Sequence, residues 1–76
     1  MAKFGPLKKK KFIKFLSKVG CFFVRNGGNH DVYWRDGINR PVTVPRHDMV
    51  SARVIRSNLS TLGISLDEYL KIMDEL

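Results

Sequence analysis

Apolar residues recur at helical spacing along the first part of the chain. From Leu7 to Val19 they are Leu7, Phe12, Ile13, Phe15, Leu16 and Val19. The 12-15-16-19 series marks one face of a helix, with Lys8, Lys9, Lys10, Lys11, Lys14 and Lys18 around the rest and Gly20 as its stop. Residues 1–6 (MAKFGP) read as a loose lead-in, because Gly5 and Pro6 break regular structure.

The period then changes. Cys21 to Arg25 (CFFVR) is short, aromatic and β-branched, which predicts a strand. Asn26-Gly27-Gly28-Asn29 is a turn signal. His30 to Arg35 (HDVYWR) predicts a second strand, with His30, Val32 and Trp34 on one face and Asp31, Tyr33 and Arg35 on the other. Asp36-Gly37-Ile38-Asn39 turns the chain again, and Arg40 to Val44 (RPVTV) predicts a third strand with Pro41 tolerated near its start. Two short turns in succession imply an antiparallel meander.

Helical spacing returns afterwards. Asp48 or Ser51 is placed to cap a helix running to about Leu62, with Ile55, Leu59 and Leu62 inward and Gly63 at its end. Ser65-Leu66-Asp67-Glu68 has the form of a capping box, and a short last helix follows with Leu66, Tyr69, Leu70 and Met73 inward. The predicted fold is α+β, a two-layer α-β-β-β-α domain with a short extra C-terminal helix. Its helices pack on one face of a three-stranded antiparallel sheet and leave the other open. Double-stranded-RNA-binding domains (dsRBDs) share this order, but a fold by itself hosts many activities. With 76 residues, the whole chain, 1–76, reads as a single domain with one thin core and a shallow site.

Charge narrows the partners. The net charge is +7, and it is uneven: residues 1–47 carry seven Lys and four Arg against Asp31 and Asp36. Such a basic body attracts polyanions through phosphate contacts and counterion release, nucleic acid before an acidic membrane surface. The plain alternative is a basic surface that only keeps a small protein soluble. No run of apolar residues is long enough for a membrane span, and no apolar signal-peptide segment follows the N-terminal lysines. Cys21, the one cysteine, reads as a small core residue. Cytoplasmic location fits these features.

Several chemistries lack their residues. With two His and one Cys there is no zinc-ligand spacing. A two-metal nuclease needs a carboxylate cluster, and the basic half offers only Asp31 and Asp36. No nucleophile elbow is present, and Asn26-Gly27-Gly28 is too short for a nucleotide-binding loop.

The histidines are left. His30 enters a strand from a turn, with Arg25, Arg35 and Arg46 near in sequence. RNA brings its own nucleophile, the 2′-hydroxyl, so cleavage without a metal needs a group that moves protons and cations that stabilise phosphate charge. His30 fits that role, and it equally fits a solvated turn histidine. His47 reads as a second proton donor, a phosphate contact or a structural side chain. Lys8–Lys11 reads as a solvated helix face or a phosphate-binding stripe. Tyr33 and Trp34 point to opposite faces, so one packs in the core, while the other is exposed or stacks on a base.

Three segments carry a resemblance: Val24-Arg25-Asn26-Gly27-Gly28-Asn29-His30, then Val42-Thr43-Val44-Pro45-Arg46-His47, then Ile55-Arg56-Ser57 with Leu62-Gly63-Ile64-Ser65. In order and spacing they resemble HicA toxins of bacterial HicA–HicB toxin–antitoxin modules, over about Leu7 to Leu70. The resemblance implies a dsRBD-like fold and a metal-independent endoribonuclease that cleaves mRNA with one catalytic histidine and no cofactor. That histidine follows a glycine and a small residue at the entry to the second strand, which here is Gly28-Asn29-His30. It also implies a HicB-like antitoxin that masks the histidine. Arg25, Arg46, His47 and the Lys8, Lys9, Lys10, Lys11 and Lys14 face are then the expected RNA contacts. The chain departs from the common Gly-Ser-His pattern at Asn29, and has Asp31 where a second His or Arg often stands. Arg53-Val54 stands where Gly-Thr is familiar. A non-catalytic dsRBD-like RNA-binding module, or a basic piece that mainly docks an acidic antitoxin, are the alternatives.

Overall fold

In a computed structural model, residues 4–76 are described. The residues 1–3 of the expected lead-in lie outside them. Phe4 packs edge-on against Tyr69 at 6.3 Å and lies under the Arg56 guanidinium at 5.7 Å.

The elements run β1 (Leu7–Lys8), α1 (Lys9–Lys18), β2 (Phe22–Gly27), β3 (His30–Trp34), β4 (Val42–Pro45), β5 (Met49–Val50), α2 (Ala52–Leu62) and α3 (Leu66–Asp74). This is the α+β plan, with three helices and the antiparallel sheet β2-β3-β4. One correction concerns the start of α1. Leu7 and Lys8 are not helical but extended, paired antiparallel with Val50 and Met49 in a separate two-stranded sheet. The Lys9 N–H donates to the Asp48 carbonyl at 2.8 Å, so this small sheet ties the helix entry to the segment leading into α2. Other boundaries move by a few residues. β2 runs on through Asn26 and Gly27, which leaves Gly28 and Asn29 as the turn, and β4 starts at Val42 and includes Pro45.

The core lies between the helices and one face of the sheet. Phe12, Phe15 and Leu16 of α1 are fully buried, as are Val42 and Val44 of β4, and Ile55, Leu59 and Leu62 of α2 join them. Each such side chain contributes ~1.5–3 kcal/mol by leaving water. Phe15 meets Tyr69 of α3 edge-on at 4.9 Å. Ser51 and Ser65 cap α2 and α3, their hydroxyls accepting from the N–H of Val54 and Glu68. Gly20 and Gly63, both left-handed, follow α1 and α2. There the N–H of Cys21 donates to Leu16 and that of Ile64 to Leu59, closing each helix end.

Cross-strand register sorts the sheet's two faces. Asp31 lies opposite Asn26 and Val44, and Tyr33 opposite Phe23 and Val42. Tyr33, Val42 and Val44 belong to the core, so this is the inner face. His30 lies opposite Gly27 and Pro45, Val32 opposite Arg25 and Thr43, and Trp34 opposite Phe22. These residues make up the outer face, on which Val32 is buried and Trp34 packs in part against the core cluster. The register shift between Phe23 and Arg25 is a bulge at Val24, which lets both Phe23 and Arg25 keep opposite faces.

Candidate active site

His30 opens β3 on the outer face, immediately after the Gly28-Asn29 turn. Its side chain is exposed, and among the described residues its imidazole makes no hydrogen bond. The turn backbone is held, since Asn29 accepts a hydrogen bond from the Arg46 N–H at 3.2 Å. The ring is thus presented to solvent on a fixed backbone.

Gly27 faces His30 directly across β2 and β3. A Cβ at Gly27 would stand 3.1 Å from Val32 Cγ2, 3.3 Å from Arg25 Nη1 and 3.3 Å from the His30 carbonyl. The Arg25 guanidinium therefore folds over the outer face at the position opposite His30. The missing side chain at Gly27 is what makes room for it. An imidazole and a guanidinium share one end of one sheet face.

Asp31 turns the other way. Its carboxylate sits between Lys9 Nζ and Arg46 Nε, each 3.5 Å away, and the Arg46 contact is an ion pair without hydrogen-bond geometry. Asp31 is thus placed where it restrains two cations beside the histidine's strand rather than the histidine itself. Lys8, Lys9 and Lys10 line a cavity of about 390 Å³ with Asp48 and Met49. Lys10 and Lys14 are exposed on α1, and Lys11 is half-buried. The first turn of α1 carries lysines and no acid, so these charges add to the positive end of the helix dipole. His47 is exposed in the bend after β4, two residues beyond the partner of His30.

Arg35 is not part of this group, although sequence proximity to His30 places it there. Its guanidinium donates to the carbonyl of Val19 at 3.2 Å and to that of Leu62 at 2.7 Å. It ties down the C-terminal ends of α1 and α2, where a cation also meets the negative ends of two helix dipoles. Cys21 is buried near it. Burial pushes the thiol pKa up, and the Arg35 charge offsets only part of that.

Of the two adjacent aromatics, Tyr33 is the core residue and Trp34 lies on the outer face, half-buried. Sequence reasoning passed over Phe22, which is 52% exposed opposite Trp34. The available signal was its place in a strand next to Phe23, which assigns one of the pair to each face. Asn58 was also missed, a polar residue 4% exposed on the buried side of α2.

Among the described residues no group of three or more His, Cys, Asp or Glu is placed to hold a metal ion, and no helix is long and apolar enough to cross a membrane. The family model for the HicA toxin of bacterial toxin-antitoxin matches residues 10–64. That segment includes His30, Arg25, Arg46 and all of β2, β3 and β4. No curated protein and no solved structure matches the chain.

Proposed function

The chain belongs to the HicA toxin family of bacterial toxin–antitoxin systems, and from that premise we propose that it is an endoribonuclease that cleaves mRNA with His30 as its catalytic residue. The observation that supports this most directly is the exposed, unbonded imidazole on a held turn with the Arg25 guanidinium opposite.

The chemistry needs little more. His30 takes the proton from a 2′-hydroxyl while that oxygen bonds to the adjacent phosphorus. The bond from phosphorus to the 5′-oxygen breaks, and that oxygen takes up a proton from the imidazolium or from water. The products are a 2′,3′-cyclic phosphate and a 5′-hydroxyl. Arg25 lies on the same face and offsets the charge that builds on the phosphate oxygens. Arg46, His47 and the Lys8, Lys9, Lys10, Lys11 and Lys14 face hold flanking phosphates, and the net charge of +7 draws the polyanion in.

A toxin of this family works against an antitoxin. A HicB-like protein that covers His30 and offers acidic groups to this basic surface is the expected partner, and mRNA places both in the cytoplasm.

The test is RNA cleavage by purified wild-type chain and His30→Ala, with chelator present. Fragmentation by the wild type alone, with equal thermal midpoints, is the expected result. Equal cleavage by both removes His30 from the chemistry. Retarded but intact RNA with the wild type supports a binding module instead.

A further inference from the structure

The outer sheet face carries more than His30. Phe22 of β2 and Trp34 of β3 lie directly opposite one another on it, and Arg25, Val32 and His30 follow along the same face toward the turn. Phe22 is 52% exposed, as is its neighbour Phe23 on the other face, so what sets Phe22 apart is its place opposite Trp34 on the face that carries Arg25 and His30. Trp34 is half-buried and packs against the core cluster, which holds its ring in place.

We propose that this face is a stacking platform for single-stranded RNA, in which a base near the cleaved phosphate packs on the Phe22–Trp34 pair. The proposal deepens the nuclease reading above and rests on it for the position of the cleaved phosphate.

Three observations select the occupant. The first is charge: the chain is strongly basic, and Arg25 stands on this face between the aromatic pair and His30, where a phosphate backbone would pass. The second is chemistry: an aromatic pair with a neighbouring guanidinium is suited to base faces, and every base has one. The third is distance. Trp34 is four residues along β3 from His30, about 14 Å at ~3.4 Å per residue. Stacked nucleotides repeat at about 3.4 Å along a strand, so the platform lies within roughly four nucleotides of the histidine. In a duplex the base faces are stacked on each other and out of reach, so this surface selects unpaired strands. A second copy of the chain is disfavoured here, because it brings the same positive charge.

The measurement uses the full chain carrying His30→Ala, so that RNA stays intact. Trp34 is the one tryptophan, so all tryptophan fluorescence comes from this end of the sheet. A short unstructured oligoribonucleotide is titrated in, then the same sequence as a duplex, with binding followed separately by the polarisation of labelled RNA. Saturable quenching of Trp34 by the single strand, and weaker binding of the duplex, is the expected result. Adding Phe22→Ala or Phe22→Leu weakens single-strand binding about 5- to 150-fold, and Phe22→Tyr retains it. Phe22 is exposed, so these variants keep the thermal midpoint. The proposal is overturned if RNA binds with Trp34 emission unchanged, or if the Phe22 variants bind as tightly as the parent. It is also overturned if the duplex binds equally well, or if the Phe22 variants lose only an antitoxin partner and keep RNA. Cleavage by the His30-containing chain is scored separately. Quenching without cleavage keeps the platform and removes the nuclease reading, while cleavage without quenching does the reverse.

Discussion

Asn58 closes the outer edge of the sheet at Thr43. Its amide nitrogen donates to the Thr43 carbonyl at 2.9 Å, and its side-chain oxygen accepts from the Thr43 N–H at 3.4 Å. β4 is an edge strand, and an edge leaves backbone groups unpaired. One side chain of α2 supplies both partners that a fourth strand would have supplied. It also fixes α2 against the sheet and so sets the position of β4, the strand beside His30.

Asn58→Ala leaves both Thr43 groups unpaired beneath a helix and removes a well-packed amide. The expected loss is ~1–3 kcal/mol, read as a fall in thermal midpoint of about 4–8 °C per kcal/mol for a domain of this size. Asn58→Asp keeps the acceptor and loses the donor, and should fall in the same direction. Midpoints equal to wild type for both variants would mean that the edge gains nothing from the amide.

Asp31 restrains two cations. Lys9 and Arg46 both contact its carboxylate at 3.5 Å, and both are among the proposed phosphate contacts. The pairs are partly exposed, so their contribution to stability is small, ~0–1 kcal/mol. Asp31→Asn therefore changes RNA binding more than folding. Affinity should rise, and the dependence of log K on log salt should steepen by up to about one unit for each released cation that engages a phosphate. Unchanged affinity and slope would show that neither cation reaches RNA.

Alkaline pH should loosen the fold. Burial raises the pKa of Cys21 above its ordinary 9.0, with Arg35 opposing, and raises Tyr69 above 10.0. Burial, and then the Asp31 charge, raise Tyr33 above 10.0. In each case the folded state holds the proton more tightly than the unfolded chain. This stabilisation is in place below pH 9–10 and is lost as pH rises through the folded values. Urea midpoints should fall above that range, and Tyr69→Phe should flatten the decline. A wild-type midpoint that holds level through the alkaline range would refute it.

The helices were legible because their signal is local. Phe12-Phe15-Leu16 and Ile55-Leu59-Leu62 fall on one side of a 3.6-residue period, and Ser65 announces the cap of α3, while of the two candidates Asp48 and Ser51 it is Ser51 that caps α2. The alternation in β3 likewise separates Tyr33 from Trp34. The resemblance in the segments around His30 and Arg46 named the family from sequence alone. Sequence proximity also grouped Arg35 with His30.

Tertiary structure decided everything that depends on which distant groups meet. Leu7 and Lys8 continue a helical pattern, yet they form a strand because Val50 and Met49 lie beside them, and no local periodicity encodes a partner so far along the chain. Alternation cannot say which face of β3 is inner; that follows from the side the helices cover, which sends Tyr33 into the core and leaves Trp34, Phe22 and His30 outside. Arg35 is near His30 in sequence, but its reach to Val19 and Leu62 became visible only in the fold, and Asn58 had no reason to stand out until Thr43 lay against it. Local physics specified the elements and their buried faces. Hydrogen bonds and charges brought together across the fold specified the roles of the polar residues.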